Sequence, residues 1–173
     1  MEDPSSQTLL LQFLLLVVLT FLNAFFSAAE MAMVSLNRAR VEQKAEEGDK
    51  KYIRLLHVLE NPNNFLSTIQ VGITLINILS GASFADTLGR VFSSLMGNSK
   101  TAHAIASFLA LALLTYVSIV FGELYPKRIA LNLKDDLAVR AAPFIIFLGK
   151  LVSPFVWLLS ASTNLLSRIT PMK

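Results

Sequence analysis

Apolar residues run almost without a break over residues 9–34. That is about 26 positions, more than the roughly 20 an α-helix needs to cross a bilayer. The polar exceptions are Gln12, Thr20, Asn23, Ser27 and Glu30. At about 100° per residue they fall within roughly 80° of one another. The pattern predicts a membrane helix with one polar stripe, turned toward protein or a watery cavity, and lipid on its other sides. Residues 36–61 then change character. Gly48-Asp49 splits them into two short helices, with Asp49 as the N-cap of the second. Tyr52, Leu55, Leu56 and Leu59 repeat at helical spacing and form one apolar face. An amphipathic hairpin lying at the membrane surface is expected. Asn61-Pro62 stops it, and Asn63 or Asn64 is expected to cap the next helix.

A second span is predicted over residues 65–85, with Gln70, Thr74, Asn77 and Gly81 on one face. Gly81 and Ala85, four residues apart, are expected to let another helix approach closely. Residues 86–101 read as a polar connection, partly helical. A third span covers residues 102–125, with Ala102, Ala106 and Ala110 on one side. Beyond it, residues 135–169 predict a juxtamembrane helix. The apolar part at 144–161 is interrupted by Lys150 and Pro154 and carries the interface residue Trp157. It either crosses the membrane or lies in its interface. The fold class is therefore an all-α membrane protein.

Composition agrees: 54% of the residues are hydrophobic and only 16% charged, well short of the quarter found in soluble domains. The 173 residues amount to a single membrane domain. The start of the chain lacks the basic residues and cleavage site of a signal peptide, so the first span is expected to be retained. There are no cysteines, which excludes disulfides, thiolate metal sites and Cys nucleophiles. His57 and His103 are isolated and make no zinc site. The net charge of +3 is concentrated in two places. Arg38, Arg40, Lys44, Lys50, Lys51 and Arg54 lie between the first two spans. Lys127, Arg128, Lys134 and Arg140 come after the third. These charges speak to topology, not to nucleic acid. They predict a multi-pass protein of the plasma membrane with its N-terminus outside and its C-terminus cytoplasmic.

The candidate chemistry lies near the end of the third span, in residues 117–134, VSIVFGELYPKRIALNLK. Glu123 puts a carboxylate at the edge of an apolar run, where an acid is costly and is functional by default. Pro126 has no N–H for the carbonyl four residues back, which is that of Gly122. The other spans supply Ser27, Thr74 and Asn77. Hydroxyl, amide, carbonyl and carboxylate oxygens without His or Cys select a hard cation: magnesium, calcium or manganese. Each residue also has a plainer role. Ser27 and Thr74 could bond their own helix four residues back, Asn77 could join two helices, and Glu123 could form an interfacial salt bridge. Asn23 reads as packing.

Three blocks together resemble one family: NAFFSAAEMAMVSLNRARV at 23–41, NPNNFLSTIQVGITLINILSG at 61–81 and FGELYPKRIAL at 121–131. They are similar to the transmembrane domain of the CNNM/CorC magnesium transport proteins, including the hemolysin C-like bacterial ones. The resemblance covers nearly the whole chain, least distinctively at 92–103. It implies a homodimer among membrane lipids. Each protomer would have three spans, a cytoplasmic-side helical pair and a juxtamembrane helix. The charge placement leads us to expect no nucleic-acid partner, and with no His-rich site, Ser/Lys dyad or Asp pair no enzymatic activity is expected.

By that resemblance, dehydrated Mg²⁺ is the transported ion, with Na⁺ as a candidate coupling ion. Ser27 corresponds to the serine of FFSAAE, Asn77 to the asparagine of TLIN, and Glu123 to the glutamate of GELYPK. Thr74 matches a further ligand, with Ser80 competing, and Gly122 contributes main chain. Regular helical pairing is expected to be lost near Ser27 and near Gly122. The family's paired nucleotide-binding (CBS) regulatory module is expected to be absent from this chain. There are two rivals: an exporter of polyamines or other organic cations, and a membrane ion sensor that does not transport.

Overall fold

The computed structural model describes residues 6–96 and 99–169. Every regular element among them is helical. The chain runs α1 (Ser6–Val34), α2 (Arg38–Glu46), α3 (Lys50–Leu59), α4 (Pro62–Met96) and α5 (Lys100–Ile119). A π-helical turn (Val120–Leu124) then leads into α6 (Tyr125–Asn132), and α7 (Lys134–Leu151) and α8 (Ser153–Ile169) complete the chain. Three helical stretches are long and apolar enough to cross a membrane: Gln7–Val34, Pro62–Leu95 and Lys100–Asn132. A fourth apolar stretch, α7 with α8, is bent by 78° at its break. The protein is a multi-pass, all-α membrane protein.

The second membrane helix is longer than its apolar run. α4 continues to Met96, through most of what the sequence marks as a polar connection. Polarity ends a membrane span, but a helix ends only where its backbone is broken, and residues 86–96 contain no proline. Residues 1–5, and residues 97–98 of the 86–101 connection, lie outside the described residues. At its other end α4 begins with Pro62, whose missing N–H costs nothing at the first helical position. The carbonyl of Asn61 accepts from Asn64 N and Phe65 N, so the helix starts one or two residues before the expected cap.

Contacts divide the chain into two compact units, Met1–Ala28 with Ile73–Ile129, and Ala29–Gly72 with Ala130–Lys173. In the first, the stripe of α1 behaves as its spacing predicts. Asn23 and Ser27 are buried, while Leu11, Phe13, Leu14, Val18 and Phe21 are exposed, as suits a lipid-facing surface. The small-residue side of α5 is buried too, at Ala102, Ala106 and Ala110. Close approach of α4 and α5 occurs at Gly89 rather than at Gly81. A Cβ on Gly89 would sit 2.7 Å from Ser107 Oγ, whereas one on Gly81 would meet nothing within 4 Å.

The second unit holds the surface hairpin. Gly48 turns the chain with φ +87°, a conformation that favours glycine. The Asp49 side chain then caps α3 by accepting from Lys51 N at 2.9 Å. Leu55, Val58 and Leu59 are buried on α3, which packs on α7, where Ala138, Ala141, Ala142 and Ile145 are buried. Each large side chain so covered contributes about 1.5–3 kcal/mol. Arg40 pairs with Asp135 at 2.9 Å, and Lys134 Nζ donates to the Ser35 carbonyl at 3.1 Å. The expected single helix over 135–169 is two helices. The chain turns at Val152, and Pro154 comes near the start of α8, where its missing N–H is again tolerated.

Candidate cation site

All five sequence-derived ligands, Ser27, Thr74, Asn77, Gly122 and Glu123, belong to the first unit. The third membrane stretch is remodelled where the sequence places the chemistry. Over Val120–Leu124 the helix widens into a π turn, and Tyr125 N donates to the carbonyl five residues back, at Val120. Pro126 is next, and with no N–H it can serve neither Gly122 nor Phe121, the carbonyls four and five residues behind it. The wider turn therefore adds Phe121 to the carbonyl that the sequence singles out. Such single-turn π bulges recur at functional sites.

Around Ser27, by contrast, α1 is an unbroken helix, so the expected loss of pairing there does not occur. The local sequence AFFSAAEMA contains no glycine or proline and is rich in good helix formers. What marks Ser27 is its hydroxyl. The residue is fully buried (0% exposed), and its Oγ has no hydrogen-bond partner. Thr68, Ser162 and Thr163 all donate to the carbonyl four residues back, as span hydroxyls commonly do. Ser27 does not. One turn earlier on the same face, Asn23 is 2% exposed and its Oδ1 also lacks a partner. A buried acceptor left unmatched costs about 1–3 kcal/mol, so two of them one turn apart call for a ligand.

Asn23 also explains Gly122. A Cβ on that glycine would lie 2.7 Å from Asn23 Nδ2, so α1 and the π turn approach through the space a side chain would fill. The packing role expected of Asn23 is therefore met, and it packs against the glycine beside Glu123.

Two hollows meet at Asn77. A small one of about 10 Å³, the size of a single water, is lined by Thr20, Asn23, Asn77, Ser80 and Ser118 among others. A larger cleft of about 260 Å³ has Asn77, Ser80, Thr115, Ser118 and Glu123 in its wall. The structure thus brings Asn77 and Glu123 to one cleft. Ser27 and Thr74 do not line it, and Thr74 is exposed on α4. Ser80, the competing hydroxyl, lines both hollows and is 8% exposed. Sequence reasoning misses Ser118. Its hydroxyl donates to Asn77 Oδ1 over a long 3.4 Å, and its only signal is a position four residues before Gly122. Glu123 Oε1 accepts from Lys127 Nζ at 3.0 Å, both side chains being partly exposed. Among the described residues no three His, Cys, Asp or Glu side chains gather in metal-binding range. The donors at hand are neutral oxygens and one carboxylate.

A family model described as the cyclin M transmembrane N-terminal domain, CNNM, matches residues 14–172. The chain belongs to the CNNM family. Among its relatives, the UPF0053 protein sll0260 of Synechocystis is 38% identical over 168 residues, 95% of this chain and 38% of that protein. The UPF0053 inner membrane protein YfjD of Escherichia coli is 33% identical over 153 residues, 88% of this chain and 33% of that protein. A Haemophilus influenzae protein named polyamine export protein is 26% identical over 159 residues, 90% of this chain and 37% of that protein. The chain thus spans a little over a third of the length of the curated relatives it matches, and corresponds to a CNNM membrane domain.

Proposed function

We propose that this CNNM domain carries Mg²⁺ across the cell membrane by alternating access, loading the ion between α1, α4 and the π turn. The observation that carries the reading is the cleft where Asn77 and Glu123 meet, beside a π turn with a proline just after it. Mg²⁺ is small, prefers octahedral oxygen and gives up water reluctantly. Stripping it needs several oxygens at once. Glu123 supplies charge, while Ser27, Asn77 and a hydroxyl from Thr74 or Ser80 replace water. The main chain at Gly122 supplies carbonyl oxygen. The bare buried Ser27 Oγ supports its part in this set. The ion is cargo, and Na⁺ is the proposed coupling ion.

A homodimer is part of the proposal, as the resemblance carried by the three sequence blocks implies. The basic residues of 38–54 and 127–140 favour a cytoplasmic hairpin and C-terminus, with the N-terminus outside. The relative named as an inner membrane protein supports a cell-membrane location.

The test is Mg²⁺ flux into proteoliposomes by the native protein and by Glu123→Gln, at equal reconstituted amounts. Loss of flux in the variant is expected, and native flux in it refutes the assignment. Polyamine export is a second reading, favoured by the name of the Haemophilus relative. A polyamine carries spaced ammonium groups and calls for spaced anions, whereas one carboxylate lines this cleft. Putrescine that competes with Mg²⁺ at equal concentration would support it. Ion binding without flux would instead indicate a sensor.

A further inference from the structure

The unit formed by Ala29–Gly72 and Ala130–Lys173 contains the largest of the described hollows, a groove of about 470 Å³. The end of α3 and the first turns of α4 form one side of it, and the end of α7 and the start of α8 form the other. Its polar lining includes His57, Asn61, Asn64, Lys150, Ser153 and Ser160. Buried Phe65 and Val156 supply part of its apolar lining. A Cβ on Gly149 would lie 3.5 Å from Thr68 Oγ1, so α7 and α4 stay in contact within it without filling it.

The charge in this groove is uncompensated. Lys150 is exposed, and among the described residues no carboxylate pairs with it. The nearby acid Glu60 lies 3.6 Å from His57 Nδ1. Trp157 lines the groove yet is 71% exposed, and Phe155 and Leu158 beside it on α8 are exposed as well. A tryptophan beside a lysine, at the foot of a membrane-crossing helix, is the composition of a bilayer interface.

We propose that this groove holds the headgroup of an anionic phospholipid. The phosphate takes Lys150 as its cation, with the Asn61 and Asn64 amides and the Ser153 hydroxyl as donors. The acyl chains leave past Trp157 along the exposed apolar side of α8. A choline headgroup fits less well, because its own ammonium would meet Lys150 as a like charge. The site takes no part in the transport proposal and stands or falls separately.

Trp157 is the only tryptophan in the chain, so its fluorescence reports on this groove. The chain would be reconstituted in phosphatidylcholine vesicles in which a fixed fraction of brominated lipid is either phosphatidylglycerol or phosphatidylcholine. The expected result is a preference of about fivefold for the anionic quencher, the contribution of one basic side chain near a lipid surface. Lys150→Gln should bring that preference close to one, while Lys150→Arg should retain it. Equal quenching by the two lipids in the native protein would overturn the proposal. So would an equal loss in Arg140→Gln, which lies outside the groove and would assign the effect to the basic surface at large. Millimolar inorganic phosphate at constant ionic strength should leave the preference intact. If it abolishes the preference, the groove binds a soluble anion and the lipid assignment is wrong.

Discussion

Glu123 Oε1 lies 3.0 Å from Lys127 Nζ, one helical turn further along the same stretch. The carboxylate that the transport proposal assigns to the ion is thus held by a cation built into the chain. A dication entering the cleft must share this oxygen with the ammonium or displace it. Removing the lysine charge removes a competitor. Lys127→Gln is expected to raise apparent Mg²⁺ affinity by up to about fivefold, the upper range for a solvent-screened pair. Titration of Mg²⁺ against the purified protein checks this, and weaker binding in the variant would assign the lysine to the site itself.

Ser27→Ala separates stability from ion binding. The hydroxyl is buried and bonds to nothing, so its loss removes a desolvation cost and no hydrogen bond. Without divalent ions the variant should unfold at the native temperature or higher, with a gain of up to about 1 kcal/mol. The native protein should gain about 2.7 kcal/mol from Mg²⁺ at a hundred times its dissociation constant, and the variant should lose most of that gain. Thermal unfolding with and without Mg²⁺ reads both quantities. An ion-free variant that is markedly less stable would mean that the hydroxyl has a structural partner.

Gly122→Ala tests the close approach of α1 to the π turn. The added methyl would lie 2.7 Å from Asn23 Nδ2, and the buried Asn23 has little room to withdraw. Overpacking of this kind costs about 1–3 kcal/mol. The double variant Asn23→Ala/Gly122→Ala should recover most of that loss in a thermal melt. Failure to recover it would place the strain in the backbone of the π turn instead.

Much of this arrangement is legible in the sequence, because a membrane imposes simple periodicities. The stripe of Asn23 and Ser27 on α1, the Asp49 cap and the small face of α5 all come from spacing. So does the irregularity before Pro126, since a missing N–H must be accommodated somewhere nearby. What is not legible depends on which helix faces which. Apart from its position four residues before Gly122, Ser118 looks like any other span serine until α4 brings Asn77 beside it. Gly81 and Gly89 look alike in sequence, and only the opposing Ser107 shows which one the packing uses. The break expected in α1 near Ser27 comes from the family resemblance and not from the residues themselves. The good helix formers there keep the backbone regular and leave only the side chain unsatisfied. The length of α4 and the bend at Val152 are obscured for one reason: hydropathy locates the lipid, while backbone breakers locate the helix ends.

The central claim is that oxygens from α1, α4 and the π turn converge on one dehydrated dication. Anomalous diffraction from crystals loaded with Mn²⁺ in place of Mg²⁺ tests it most directly. A peak within about 2–2.5 Å of oxygens from Ser27, Asn77 and Glu123 is predicted. A peak that rests elsewhere, with those three side chains turned to separate neighbours, would contradict it.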